Sequence, residues 1–148
     1  MIGLTIDANG VPGNIDKRVE LGAQVITIAM EGGLSMDKLF IDPIILPVNV
    51  APTNPRQCMQ AMSQICMFAD PAPHLMLGLS NLSQKCTNRH LINRTYLAMA
   101  MAHGLDGAIL DPLDRELMEV VATTELLLGK SIYCDAFLEA ALNRQTVQ

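Results

Sequence analysis

Four short apolar runs alternate with four longer amphipathic stretches along this chain. Residues 2–7, IGLTID, read as a buried strand: they are short, apolar and β-branched, and the turn formers Asn9-Gly10 and Pro12-Gly13 close them off. Asn14 or Asp16 then caps a helix over about 16–31, with Val19, Leu21, Val25, Ile26, Ile28 and Ala29 as its inner face and Gly32-Gly33 as its end. A second strand is expected over 39–46. Pro43 lies inside that run and has no amide for a ladder, so the strand must end or bulge there, which puts Asp42 at a strand end or an irregularity. After the proline-rich loop LPVNVAPTNP, a helix over 55–68 turns Met59, Met62, Ile65 and Cys66 inward, and Ala69-Asp70-Pro71-Ala72-Pro73 breaks it. A third strand, 75–79, leads into a polar loop, 82–89, and a helix over 91–103 with Leu97, Ala98, Met101 and Ala102 inward and Gly104 as its stop. The fourth strand, 107–110, ends at Asp111-Pro112, and the fourth helix spans 114–128. A tail over 133–142 is helical and apolar on one face.

Strand and helix thus alternate four times, in units of about 37 residues, with no obvious sequence repetition. Consecutive βα units joined by short loops require right-handed crossovers and a parallel sheet. The fold class is therefore α/β, and one domain, residues 1–148, accounts for the length. Four such units make a small open sheet, or half of a TIM (β/α)8 barrel with a C-terminal helix; a whole barrel takes about 250 residues. A half barrel leaves two bare strand edges, which another copy or another chain must cover.

Composition agrees with this. Half of the residues are hydrophobic, 17% are charged and the mean hydropathy is +0.28, an oily balance that fits parallel strands covered by helices on one side and packed together on the other. Ten methionines and no tryptophan leave the packing to Met, Leu and Ile, with Met as gap filler. A net charge of −5 and the lack of any basic run speak against nucleic-acid binding. Cys58, Cys66, Cys86 and Cys134 show no CxxC spacing and no close histidine, so reduced thiols in a cytoplasmic protein are expected rather than a metal site. Met1 leads directly into a strand-like run, so no signal peptide is expected. No apolar run reaches the roughly 18 residues that a membrane span needs.

The residues that carry chemistry fall after strands, where βα folds place their ligand sites. Asp7 and Asn9 follow the first, Asp42 and Asn49 the second, Ser80, Asn81 and Gln84 the third, and Asp111 the fourth. The densest stretch is 74–94, HLMLGLSNLSQKCTNRHLINR. Its loop offers Ser, Asn, Gln and Thr side chains with Lys85, Arg89 and Arg94 around them, a set that suits a flat heterocycle rich in donors and acceptors with an anionic tail. Asp before Pro is also a common turn unit, and Asp111 at a helix start fits that role. Asp42 is embedded in FIDPIIL, where a buried charge needs a partner or a ligand. His74, His90 and His103 form no triad spacing with a Ser or Cys, and His103 beside Gly104 reads as a helix C-terminal residue. The loop after the third strand has no glycine-rich phosphate cradle, which argues against an enzyme of phosphorylated metabolites.

The segments LFIDPIILPVNVAP, DPAPHLMLGLSNLSQ, NRHLINRTYLAMAMAHGLDGAILDPLD and IYCDAFL resemble the methyltetrahydrofolate:corrinoid/iron–sulfur protein methyltransferases. These are pterin-binding barrels related to dihydropteroate synthase and to the folate domain of cobalamin-dependent methionine synthase. The resemblance implies a (β/α)8 barrel of which this chain is the C-terminal half, strands five to eight. It implies that Asp42 holds the pterin, that Asn81 hydrogen-bonds N5, and that Gly78, Ser80 and Gln84 line the same pocket. Arg89, with Lys85 and Arg94, is either a solvated charge or a local cation for an anionic folate. The family also draws an aspartate and an asparagine from the first half of the barrel, and these have no counterpart in this chain.

The implied reaction is methyl transfer from N5 of methyltetrahydrofolate to cobalt(I) of a cobalamin carried by a corrinoid iron–sulfur protein, in the one-carbon chemistry of the acetyl-CoA pathway. A tertiary amine leaves badly as an anion. Asn81, whose amide does not titrate, would stabilise protonated N5 electrostatically, without transferring a proton. Asp42 would accept from the pterin N3–H and 2-amino group together. The alternative is a non-catalytic or truncated pterin-binding half barrel, completed by a first-half chain or by homodimer formation.

Overall fold

The computed structural model describes residues 1–130. Four strands, β1 (Ile2–Leu4), β2 (Phe40–Asp42), β3 (His74–Gly78) and β4 (Gly107–Ile109), alternate with four helices, α1 (Ile15–Glu31), α2 (Asn54–Ile65), α3 (Arg89–Ala102) and α4 (Arg115–Leu127). The sheet order is β1-β2-β3-β4 and each neighbouring pair is parallel. This is the expected α/β succession of βα units, consistent with half a barrel. The tail over 133–142 and Cys134 lie outside the described residues. No helix among the described residues is long and apolar enough to cross a membrane.

The strands are shorter than the apolar runs that encode them. β1 stops at Leu4, not at residue 7, and the chain then closes a bridge between Asp7 and Gly10. β2 stops at Asp42, not at residue 46, because Pro43 has no amide to continue the ladder. α2 likewise ends at Ile65, three residues short of the expected end, leaving Phe68 half exposed.

Strand register sorts the side chains into two faces. Gly3 pairs with Ile41, Ile41 with Leu75, and Leu77 with Ala108. This face lies under the helices: Ile41, Leu75 and Leu77 are fully buried, which stabilises the fold by roughly 1.5–3 kcal/mol for each large aliphatic. The opposite face carries Ile2, Leu4, Phe40, Asp42, His74, Met76, Gly78 and Ile109. There Ile2 is 57% exposed and Ile109 66% exposed. Among the described residues nothing covers this open face, and β1 and β4 each leave one edge unpaired.

Helix α1 begins where Asn14 Oδ1 accepts the Lys17 amide at 2.8 Å. Val19, Leu21, Ile26 and Ala29 are buried as expected, but Ile28 is 66% exposed. At 100° per residue Ile28 points about 200° away from Ile26, so both cannot face the core. The residue that takes an inner position instead is Arg18, fully buried. Gly22 follows it one turn later; a β-carbon there would stand 2.7 Å from Ile65 Cδ1, so the glycine is what lets α1 and α2 approach. In α3 the buried set is Tyr96, Leu97, Ala100 and Met101, while Ala102 is exposed and Ala98 only half buried. Met36, Met59, Met62 and Met101 fill the core between helices and sheet.

Candidate functional site

The site builds from the C-terminal ends of β2 and β3. Asp42 is the last residue of β2, and its Oδ1 accepts the Ile44 amide at 2.8 Å, closing an Asx turn around Pro43. The same turn recurs at Asp111, whose Oδ1 accepts the Leu113 amide at 2.9 Å, and at Asp7, which accepts the Asn9 amide at 2.8 Å. The turn role expected of Asp111 therefore extends to Asp42. Two things set Asp42 apart. It is half buried whereas Asp111 is exposed, and burial pushes its carboxyl above the usual range, with the Ile44 amide pulling the other way. Its Oδ2 makes no hydrogen bond among the described residues.

The backbone just beyond is strained. Ile44 sits at φ 59°, a left-handed conformation that a β-branched residue rarely adopts. Asn54, the first residue of α2 and nearly fully buried, receives the Leu46 amide on Oδ1 at 2.8 Å. This loop is also tied to the next one, where the Val48 amide donates to the Leu82 carbonyl at 2.8 Å.

β3 alternates between the two faces, and its last residue, Gly78, lies on the open one. A 3₁₀ turn, Leu79–Asn81, follows. Leu79, Leu82 and Ser83 are buried and anchor the loop, so it is polar on its outer side only. A β-carbon on Gly78 would stand 3.2 Å from Asn81 Nδ2. The Asn81 amide thus folds back over Gly78, toward the face that also carries Asp42. It forms no side-chain hydrogen bond among the described residues.

Ser80 and Gln84 are exposed beside it. Ser80 contributes its carbonyl, which accepts from Arg89 Nη2 at 3.3 Å, while Arg89 Nε donates to Ser83 Oγ at 3.2 Å. Arg89 therefore straps the loop to the start of α3. Arg94 belongs to a different contact: it pairs with Asp114 Oδ1 at 2.9 Å and with Glu116, so its charge is matched within α3 and α4. Asp114 also caps α4 through the Leu117 amide. The His90 hydrogen bond above all, with that amide and Arg94, holds its carboxyl down at about 2. Lys85 is exposed at φ 61°. Asp7, Asn9, Asn49 and Asp111 are not drawn onto the open face by any contact among the described residues.

Two buried polar residues behind Asp42 have no place in the sequence reading, Arg18 and Asn54, and the buried Cys58 lies beside them. A signal existed for the first. Arg18, Gly22, Ile26 and Ala29 follow the helical period and mark one face of α1. Burial pushes the Cys58 thiol up to about 12, opposed by the Arg18 guanidinium.

A cleft of about 180 Å³ opens beside Ser80, with Arg89, His90, Asn93 and Asp111 on its walls. That is small against the roughly 300–1,000 Å³ of a typical ligand pocket. A wider and more open hollow of about 620 Å³ lies between α3 and α4, lined by Arg94, Glu116, Glu119 and Thr123, away from Asp42 and Asn81. The open sheet face brings together the Asp42 carboxylate and the Asn81 amide, which lies over Gly78.

No family model matches the chain. Over 142 residues, 95% of its length, it is 28% identical to the methylcorrinoid:tetrahydrofolate methyltransferase of Eubacterium limosum. The chain spans about half, 51%, of that curated relative.

Proposed function

We propose that this chain is the C-terminal half of a pterin-binding barrel that moves a methyl group between N5 of tetrahydrofolate and the cobalt of a corrinoid held by a partner protein. The observation that carries the reading is the placement of Asp42 Oδ2 and the Asn81 amide, both without a hydrogen bond among the described residues, at adjacent strand ends, with the Asn81 amide folded over Gly78 between them. The likeness to a methyltransferase over nearly the whole chain supports it.

Asp42 would receive the pterin N3–H and 2-amino group. Its Oδ1 keeps a lone pair beyond the one used by Ile44, so both oxygens can accept. Asn81 would address N5. In the direction the relative's name gives, the N5 lone pair forms the new bond to the methyl carbon. The cobalt–carbon electrons stay with cobalt, and the N5 proton leaves to water. In the opposite direction, methyl leaves an N5 that is already protonated. Either way N5 bears positive charge at the transition state, and the Asn81 carbonyl oxygen can accept from N5–H as that charge develops. The corrinoid is a substrate delivered by its carrier, for which a corrinoid iron–sulfur protein is our proposal; it supplies the cobalt chemistry.

A second reading is favoured by the open face. Exposed Ile2, Leu4 and Ile109 and the two unpaired edges need cover. A pterin-binding half that turns over only when a first-half chain or a second copy closes the barrel would meet that need.

The reaction is tested by following cobalamin absorbance while the protein is mixed with methylcobalamin and tetrahydrofolate. The first reading predicts demethylation by the chain itself, lost in Asn81→Ala. Demethylation that appears only when a chain carrying the first four βα units is added favours the second. No demethylation in either mixture counts against both.

A further inference from the structure

We propose that Asn54, Cys58 and Arg18 form a strut that holds the loop after Asp42 in its strained shape and thereby aims the Asp42 carboxylate; the purpose assigned to the strut rests on the pterin reading above. A left-handed isoleucine persists only where its surroundings over-determine it. Around Ile44 they do. Its amide donates to Asp42 Oδ1 at 2.8 Å, and its carbonyl accepts from Asn54 Nδ2 at 3.5 Å. Asn54 Oδ1 holds the Leu46 amide two residues on, at 2.8 Å. One side chain thus grips the loop on both sides of Ile45.

One turn further along α2, Cys58 Sγ lies 3.5 Å from the Ile44 carbonyl and 3.7 Å from the Pro43 carbonyl. Arg18 Nη1 donates to that sulfur at 3.0 Å, and Nη2 donates to the Pro12 carbonyl at 2.8 Å. The sulfur accepts on one side and donates on the other, so guanidinium, thiol and loop carbonyl form a chain of polarised hydrogen bonds. Arg18 is fully buried, meets no carboxylate among the described residues, and has no partner for Nε. A cation in that position is costly unless its bonds are held in place. Its contacts connect the α1 entry loop to the Asp42 loop through α2. These three are positioning residues, since none reaches the open face.

The test compares amide hydrogen exchange, read by NMR in the full chain, with tetrahydrofolate affinity. The informative amide is Ile44, which bonds to Asp42 and not to Asn54. Asn54→Ala is expected to speed its exchange about tenfold relative to the Leu75 and Leu77 amides of the sheet core. Replacing Ile44 by glycine, which takes positive φ without strain, should restore that protection in the Asn54→Ala background. Tetrahydrofolate affinity should fall and recover in parallel, by about tenfold each way. Cys58→Val, which keeps volume and removes the sulfur relay, should move Ile44 exchange in the same direction and serves if Asn54→Ala does not fold. Unchanged Ile44 exchange, exchange that rises equally in the core, or no rescue by glycine would overturn the strut. Altered exchange with unchanged affinity would overturn its role in aiming Asp42. Strut behaviour in a chain that binds no tetrahydrofolate would instead count against the pterin reading.

Discussion

The amide nitrogen of Asn81 stands 3.2 Å from where a β-carbon on Gly78 would sit, tighter than an ordinary van der Waals contact. Gly78 has φ −85° and ψ 93°, which alanine adopts freely. The missing β-carbon therefore serves the pose of Asn81, not the backbone. Gly78→Ala should fold with stability within about 1 kcal/mol of the parent, while tetrahydrofolate affinity drops several-fold as the amide is pushed aside. Urea melts and a binding titration on the same sample would show it; unchanged affinity would mean that the Asn81 pose is irrelevant to the ligand.

Asp42 gives a pH signature. Burial favours its neutral form, so its folded value lies above its unfolded one. The stability this group contributes is present at low pH and is lost as pH rises through that raised value. Pterin binding runs the other way, because N3–H and the 2-amino group need the carboxylate. Affinity should fall on acidification with a midpoint above the ordinary aspartate value of about 3.9. Asp42→Asn should bind more weakly at neutral pH and lose that acid limb. A parent profile flat between about pH 4 and pH 8 would contradict the assignment.

Asp114 has the opposite sign. Its carboxyl is held at about 2 by His90, the Leu117 amide and Arg94, so its contribution is present above the unfolded value and lost as pH falls toward 2. Asp114→Ala should be less stable by about 1 kcal/mol at neutral pH through loss of the α4 cap. The difference should shrink on acidification. Urea denaturation of both proteins at the two pH values measures it.

Thiol reactivity checks the packing of the helices. Cys58 is fully buried, with its thiol pushed up to about 12. Cys86 is only partly buried. In the folded chain at mildly alkaline pH, an alkylating reagent should label Cys86 and leave Cys58 unlabelled until denaturant is added. Peptide mapping by mass spectrometry gives the answer directly; early labelling at Cys58 would mean that α1 and α2 do not pack as described.

Much of this architecture could be read from the chain because local signals agreed with one another. Pro43 marked the end of β2, Asn14 and Gly32-Gly33 bounded α1, and four apolar runs between amphipathic stretches imposed a parallel sheet. The errors have physical causes. Apolar content stretched β1 and β2 beyond their ladders, because Ile6 and Ile45 are apolar without being paired. Ile28 was placed by hydropathy and displaced by helical phase. At the candidate site, Asp42 was noticed for its apolar surroundings, but its Asx turn and the strain at Ile44 depend on backbone angles that residue identity does not encode. Arg18 runs against the expectation that an arginine lies outside; only its spacing with Gly22 and Ile26 marks it as inward.

The most direct measurement is a calorimetric titration of tetrahydrofolate into the purified chain, sized beforehand, beside Asp42→Ala and Asn81→Ala. Saturable binding that weakens by about tenfold or more in each variant is the predicted result. A folded, monodisperse chain that takes up no tetrahydrofolate, or binds it equally well in all three forms, would contradict a pterin site built on these two residues.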